Sequence, residues 1–264
     1  MSKYFLFMIL LLINSFAFAD GKNENLLAVG QGISYPTTTS TINYHSGYGV
    51  ENPVGVLYQN GGRASLMYDQ TNNNNNNNNS SGYGLEFGYG QKKWGMALGY
   101  YRRNCNNCDG NVAGDVAVNI SNVGVGIKFQ ENILGLGAIF NPDKDHRFGL
   151  MVSVDSSNSN SKVNAYGLGY SYAQKNFVLT LDGTILSTEN SNSTSNNSYI
   201  LSPGVEILID ALQLSATYKM TRFDNSSLNE NKLWFGMGYK DSSWSLAFYS
   251  EYIDDIALVL SFYF

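Results

Sequence analysis

Charge is scarce in this chain. Lys and Arg total 16 and Asp and Glu 21, so that charged residues make up 14% of 264 positions, where a soluble domain carries nearer to about 25%. A salt-bridged, water-facing surface is therefore not what most of the chain builds. The small excess is acidic, net −5 with a pI of about 5.0, and no basic stripe is available to neutralise phosphates, which excludes nucleic acid as a partner. Proline is scarce too, with 4 residues, and there are only 2 histidines and 2 cysteines.

These shortages exclude most chemistry. His45 and His146 are far apart in sequence, and neither belongs to a pattern that would activate a serine or a water. No enzyme activity, no cofactor and no metal site is expected; an outer-membrane hydrolase would have to depend on one of these two histidines. Cys105-Asn-Asn-Cys108 has the spacing of a thiol redox centre or half a zinc site. A redox motif opens a helix and a zinc site needs two further ligands, and neither context is present. In an exported chain the pair reads as a local disulfide that tightens a loop.

A long apolar run is also missing. The longest, from Tyr4 to Phe18, follows Lys3 and ends in Ala17-Phe18-Ala19. It falls short of the roughly 20 residues of a helical span and has the layout of a secretory signal. Residues 1–19 are thus expected to be a signal peptide, with the mature chain beginning near Asp20.

What the chain does have is Gly 27, Tyr 19 and Phe 14, arranged with period two. In 256–264 the residues Ile256, Leu258, Leu260, Phe262 and Phe264 alternate with Ala257, Val259, Ser261 and Tyr263. Trp94, Met96, Leu98 and Tyr100 likewise oppose Gly95, Ala97, Gly99 and Tyr101. Alternation puts one set on each face of a sheet. Aromatics gather at the ends of the apolar faces, as an interfacial girdle requires, while the opposite faces carry glycines and isolated charges where a β-sandwich would place its core. The fold expected is all-β: a transmembrane antiparallel barrel over 63–264, of about twelve strands of about 8 to 11 residues.

Loop lengths orient it. An even strand count leaves both chain ends in the periplasm, with short turns there and longer loops outside. Residues 91–93, 173–176, 210–211 and 240–243 are short, and alternate with long connections at 71–81, 104–115, 188–198 and 224–232. The asparagine run 72–79 is a loop tip. The segment 130–147 breaks the rhythm, being long on the periplasmic side and containing the apolar stretch 133–140. It is read as a non-spanning hairpin arm, with fourteen strands as the alternative; that count would need a further span, for which 26–35 is the candidate.

Segment 20–62 alternates poorly, and is a periplasmic tail or a lumenal plug. Within it, Gly47-Tyr48-Gly49-Val50-Glu51-Asn52-Pro53-Val54-Gly55 resembles the Asn-Pro-Ala-Gly stretch before the first strand in the long-chain fatty-acid transporters and related hydrophobic-compound channels. Val54 stands where that family has alanine. The resemblance implies a hatch inside the barrel, with Asn52 and Pro53 fixing the turn that returns the chain to the first strand, and small apolar compounds as cargo. An ordinary Asn-Pro turn at the end of a periplasmic tail is the other reading.

By parity the lumen should hold Arg63, Asp69, Glu86, Arg103, Lys128, Asp155, Asp182, Glu206, Lys219, Lys240 and Glu251. Lipid would charge about 2 to 4 kcal/mol for each Arg or Lys near midplane and less for each Asp or Glu, so inward placement is forced by energetics. Mixed signs predict pairing within the wall and weak ion selectivity. The function expected is passive passage of small solutes, with hydrophobic compounds among them. A plugged structural barrel that works through its loops is the alternative. Expected partners are outer-membrane lipid, the solute, and the barrel-assembly machinery acting on the last strand ending at Phe264.

Overall fold

The computed structural model describes residues 27, 29–36, 51–71, 80–104, 110–158, 161–190, 195–224, 229–251 and 255–264. The signal segment, His45, the asparagine run and the Cys105–Cys108 pair lie outside the described residues.

Fourteen strands form one closed barrel. In chain order they are β1 (Gly61–Thr71), β2 (Ser80–Gln91), β3 (Trp94–Asn104), β4 (Asn111–Ile120), β5 (Val123–Gln130), β6 (Ile133–Phe140), β7 (His146–Asn158), β8 (Ser161–Ala173), β9 (Phe177–Asn190), β10 (Ser195–Ile209), β11 (Leu212–Phe223), β12 (Glu230–Lys240), β13 (Trp244–Glu251) and β14 (Asp255–Tyr263). Each pairs antiparallel with its neighbours in sequence, and β1 closes on β14 in the register Arg63 to Tyr263 through Thr71 to Asp255. The seam is completed by reciprocal backbone bonds between Gly62 and Phe264, at 2.8 and 3.0 Å. Closure leaves no unpaired strand edge, which is what a sheet surrounded by hydrocarbon requires.

The period-two reading holds strand by strand. Leu98, Leu168, Phe87 and Met237 are more than half exposed on the outer face, whereas Ala97, Gly167, Glu86 and Gly238 beside them are buried within. Aromatic contacts mark the end that holds the start of β1 and the C-terminus. Tyr89 meets Trp94 and Tyr239 meets Trp244, both at 5.3 Å between ring centroids, and Phe148 meets Tyr170 at 5.1 Å.

The leading count of about twelve strands gives way to its fourteen-strand alternative, and the two further strands flank β5. Residues 111–115, assigned to a long outer loop, open β4; Ile133–Phe140, assigned to a non-spanning arm, is the full strand β6. The described residues of the candidate span 26–35, which are 27 and 29–35, form no strand and, Gly30 apart, lie buried inside the barrel. Because two strands were missed, parity survived and the start of β1 and the end of β14 share one rim, but β5 runs opposite to the direction expected. The cause is local. The connections 121–122 and 131–132 are two-residue turns led by Ser121 and Glu131 at φ of 59° and 31°, in place of the Asn-Gly or Asp-Gly pairs that announce such hairpins. The outer face of β4 is interrupted at Gly114, whose missing side chain makes room for the Phe129 ring.

A charge on β6 tests the added span. Leu136 is 53% exposed at mid-strand, opposite Ile127 and Val152. Leu136→Arg is expected to destabilise the barrel in lipid by about 2–4 kcal/mol, measured by urea titration in vesicles. Asn132→Arg, in the adjoining turn, serves as the comparison. Equal stability of the two variants would mean that β6 does not cross the bilayer.

Candidate functional site: a lumen filled by the amino-terminal segment

An inner face of glycines and isolated charges leaves a cylinder that something must fill, since a buried polar group without a partner costs free energy. The described parts of the N-terminal segment fill it. Leu27, Val29, Ile33 and Ser34 in the first stretch, and Asn52, Val54 and Val56 in the second, have no exposed surface.

From Ile33 back to Leu27 the first stretch lies against β7 to β12. Gly30 and Gly32 take φ of +71° and +70°, a left-handed conformation costly for other residues, and so curl the backbone so that successive N–H groups converge. Asp182 is their target. Its carboxylate accepts from Gln31 N at 2.8 Å, Ile33 N at 3.1 Å and Ser34 Oγ at 2.9 Å. Gln31 also donates through Nε2 to Ser202 Oγ at 3.1 Å and accepts from Thr184 Oγ1 at 2.8 Å. Gly30 N donates to Thr217 Oγ1 at 3.0 Å, and Ser171 Oγ donates to Ser34 O at 3.3 Å.

The second stretch is a 3-10 helix, Pro53–Tyr58, lying against β2 to β6. Asn52 is its N-cap, accepting from Val54 N at 3.2 Å, and Pro53 occupies the first turn, where no N–H is required. The Asn52 amide also donates to Ile33 O, Ala138 O and Leu150 O at 3.0, 3.1 and 3.2 Å. One side chain thereby ties the helix, the first stretch and two wall strands together. Asn52 N donates to Gly32 O at 3.1 Å, joining the two stretches by backbone, and the helix leads through Gln59 into β1. The Asn-Pro pair singled out in sequence stands at this return of the chain to the wall.

Wall glycines mark the contact. A side chain at Gly149 would collide with Ile33 O, at Gly204 with Gly30 N, and at Gly90 or Gly95 with Val56 O. Inward glycines on neighbouring strands were thus the sequence signal for a filled lumen.

The expected lumenal charges divide into three groups, with Lys240 and Asp155 standing apart. Arg63 and Glu86 form a fully buried ion pair between β1 and β2, and Lys128, also fully buried, stands in register opposite Asp115 of β4, a residue expected from the sequence in a loop. Asp182 and Glu206 are buried against the first stretch, Glu206 accepting from Tyr35 Oη at 3.5 Å. Toward the rim remote from the termini, Tyr101 Oη donates to Asp69 at 2.5 Å and half-exposed Arg103 lies 4.0 Å from that carboxylate. At the same rim Glu251 pairs with Lys232 at 2.8 Å, with Lys219 half-buried nearby. Lys240 lies over the Tyr263 ring at 4.6 Å, and Asp155 is half-buried on β7 opposite Val163. Pairing within the wall is real for some of these groups, while Asp182 is satisfied by the segment inside.

Sequence reasoning missed Arg147, at the start of β7. Its guanidinium lies 5.1 Å from the ring centroid of Tyr35 in the first stretch and 5.1 Å from that of Tyr58 at the end of the helix. Burial raises the pKa of both phenols, and for Tyr35 the Glu206 charge adds to it, so both rings are neutral. His146 points outward instead, its Nδ1 2.6 Å from Tyr170 Oη and its ring against Tyr172. Among the described residues no cluster of three or more metal-ligating side chains occurs.

Neither a family model nor a curated protein sequence matches the chain. Solved structures do. The CymD monoaromatic hydrocarbon channel aligns with 91% of this chain and 99% of its own at a TM-score of 0.59 and 12% identity. A TodX mutant, also a monoaromatic hydrocarbon channel, aligns with 80% of this chain and 92% of its own at 0.48 and 9%. An anion-selective porin from Comamonas acidovorans aligns with 77% of this chain and 98% of its own at 0.46 and 8%. At such identities the likeness is one of fold: an outer-membrane β-barrel.

Proposed function

We propose that the chain is an integral outer-membrane channel for passive passage of small solutes, with hydrophobic compounds as the preferred cargo. The observation that carries this reading is a closed wall with an apolar exterior and a lumen occupied by the chain's own N-terminal segment. That segment is held by hydrogen bonds and van der Waals contact, which can be rearranged without breaking the wall. The likeness in fold to the CymD monoaromatic hydrocarbon channel supports an apolar solute, and the Asn52-Pro53 resemblance to the long-chain fatty-acid transporters points the same way. In this reading residues 1–19 are the exported signal, the rim holding Gly61 and Phe264 is periplasmic, and membrane lipid surrounds the barrel. The assembly machinery engages the last strand through Phe264, and Cys105 and Cys108 close an outer loop by a disulfide.

Purified protein in proteoliposomes is expected to raise uptake of a radiolabelled monoaromatic hydrocarbon above that of empty vesicles, with small conductance and weak ion selectivity in planar bilayers. Uptake equal to that of empty vesicles would end the channel reading. It would favour the second one, a plugged structural barrel, which rests on the complete burial of residues such as Val29, Ile33 and Val54 inside the wall.

A further inference from the structure

We infer that Arg147 is the latch of the lumenal segment: the passage opens when its guanidinium leaves the cleft between Tyr35 and Tyr58. This rests on the channel reading for its consequence, but not for its geometry.

Tyr35 packs beside Ala173, the last residue of β8, and Tyr58 ends the 3-10 helix that leads into β1, so both rings lie toward the terminal rim. A single cation from the wall lies at 5.1 Å over each of them. Arg147 Nε donates to Lys144 O at 3.2 Å, in the turn between β6 and β7, while Nη1 is buried without a hydrogen-bond partner among the described residues. The two aromatic faces supply what a carboxylate or carbonyl would otherwise supply. A guanidinium between neutral rings, partly withdrawn from water, is held by the ring quadrupoles and by its planar shape. Such a hold differs from the one at Asp182. There, release strands backbone N–H groups in the interior; here, release returns Arg147 to the aqueous rim, where water hydrates it. Of the two attachments, the Arg147 contact is the one that opens at low cost and from the aqueous terminal rim.

The latch also joins the two halves. Tyr35 packs with Val29 and Val178 and donates to Glu206, and Tyr58 packs with Val54, Val56 and Leu57. Arg147 touches both rings, so its departure uncouples the two stretches at that rim while Asn52 still joins them further inside.

Two readouts test this in full-length protein. Hydrogen exchange followed by mass spectrometry should show residues 29–36 and 51–58 exchanging roughly tenfold to a hundredfold faster in Arg147→Ala, the loss of two cation–π contacts. Strand amides of β9 and β10 should be unchanged. Tyr58→Leu should resemble Arg147→Ala, and Arg147→Lys should lie between it and the parent, since a lysine keeps the charge but not the planar fit. In proteoliposomes the Arg147→Ala protein should take up monoaromatic solute several-fold faster than the parent.

Unchanged exchange in Arg147→Ala overturns the latch whatever the uptake. Faster exchange with unchanged uptake, in a parent that does transport, reduces Arg147 to a structural clamp and equally overturns it. Faster exchange with no uptake by either protein overturns the channel reading and the gating role with it.

Discussion

Replacing Asp182 by alanine is expected to release the first stretch of the lumenal segment while leaving the barrel standing. The carboxylate accepts from two backbone N–H groups and the Ser34 hydroxyl, all buried. Each of the three donors left without an acceptor in the interior costs about 1–3 kcal/mol, so the docked conformation should lose roughly 3–9 kcal/mol, less whatever is recovered by no longer burying a carboxylate. The barrel's own ladder does not depend on this side chain. Limited proteolysis in detergent should therefore cut Asp182→Ala within the N-terminal segment at rates where the parent is intact, with the unfolding midpoint of the wall little changed. Asp182→Asn, which keeps one carbonyl acceptor but loses the charge, should fall between them. A protease-resistant segment in Asp182→Ala would show that the Asn52 contacts suffice and that the Asp182 cradle is dispensable.

The second large effect concerns the wall itself. Arg63 and Glu86 are both without exposed surface, and Asp115 and Lys128 are buried across the adjacent strands. Glu86→Ala takes from the buried Arg63 the carboxylate it pairs with, a loss of about 3–5 kcal/mol for a buried pair. Replacing both, as Arg63→Met with Glu86→Leu, removes both charges together and should restore most of that stability, because a buried pair and an apolar pair of similar volume differ little. Urea unfolding in detergent micelles, followed by the mobility of unboiled samples on gels, reads the difference. The double variant matching Glu86→Ala in midpoint would mean that shape, and not charge, accounts for the loss.

Much of this architecture was legible before any coordinates. The outer face of β3, Met96, Leu98 and Tyr100, and that of β12, Phe235, Met237 and Tyr239, emerge at the predicted parity, as do the inward positions of Arg63, Glu86, Lys128 and Asp182. The strand count was not. β6 is eight residues long with Ile133 and Ile139 on its inner face, and it leaves β5 through Glu131-Asn132, a turn without the usual residues. β4 carries Asp115 inward and Gly114 outward, so its apolar stripe is broken at the middle.

The site was less legible still. Asn52 and Pro53 drew attention because capping and turn chemistry are local. Arg147 did not, since nothing in Asp145-His146-Arg147-Phe148 announces two tyrosines from elsewhere in the chain. Gln31 was no more conspicuous, although its backbone N–H meets a carboxylate 151 residues away.

By itself the sequence determined which side of the wall each strand residue faces, because a two-residue period is set by the geometry of the extended backbone and by the cost of placing charge in lipid. Only the tertiary structure decided that the wall has fourteen staves and that its bore is occupied. Closure number depends on every hairpin being counted, and the filling depends on hydrogen bonds between segments whose separation along the chain leaves no periodic trace.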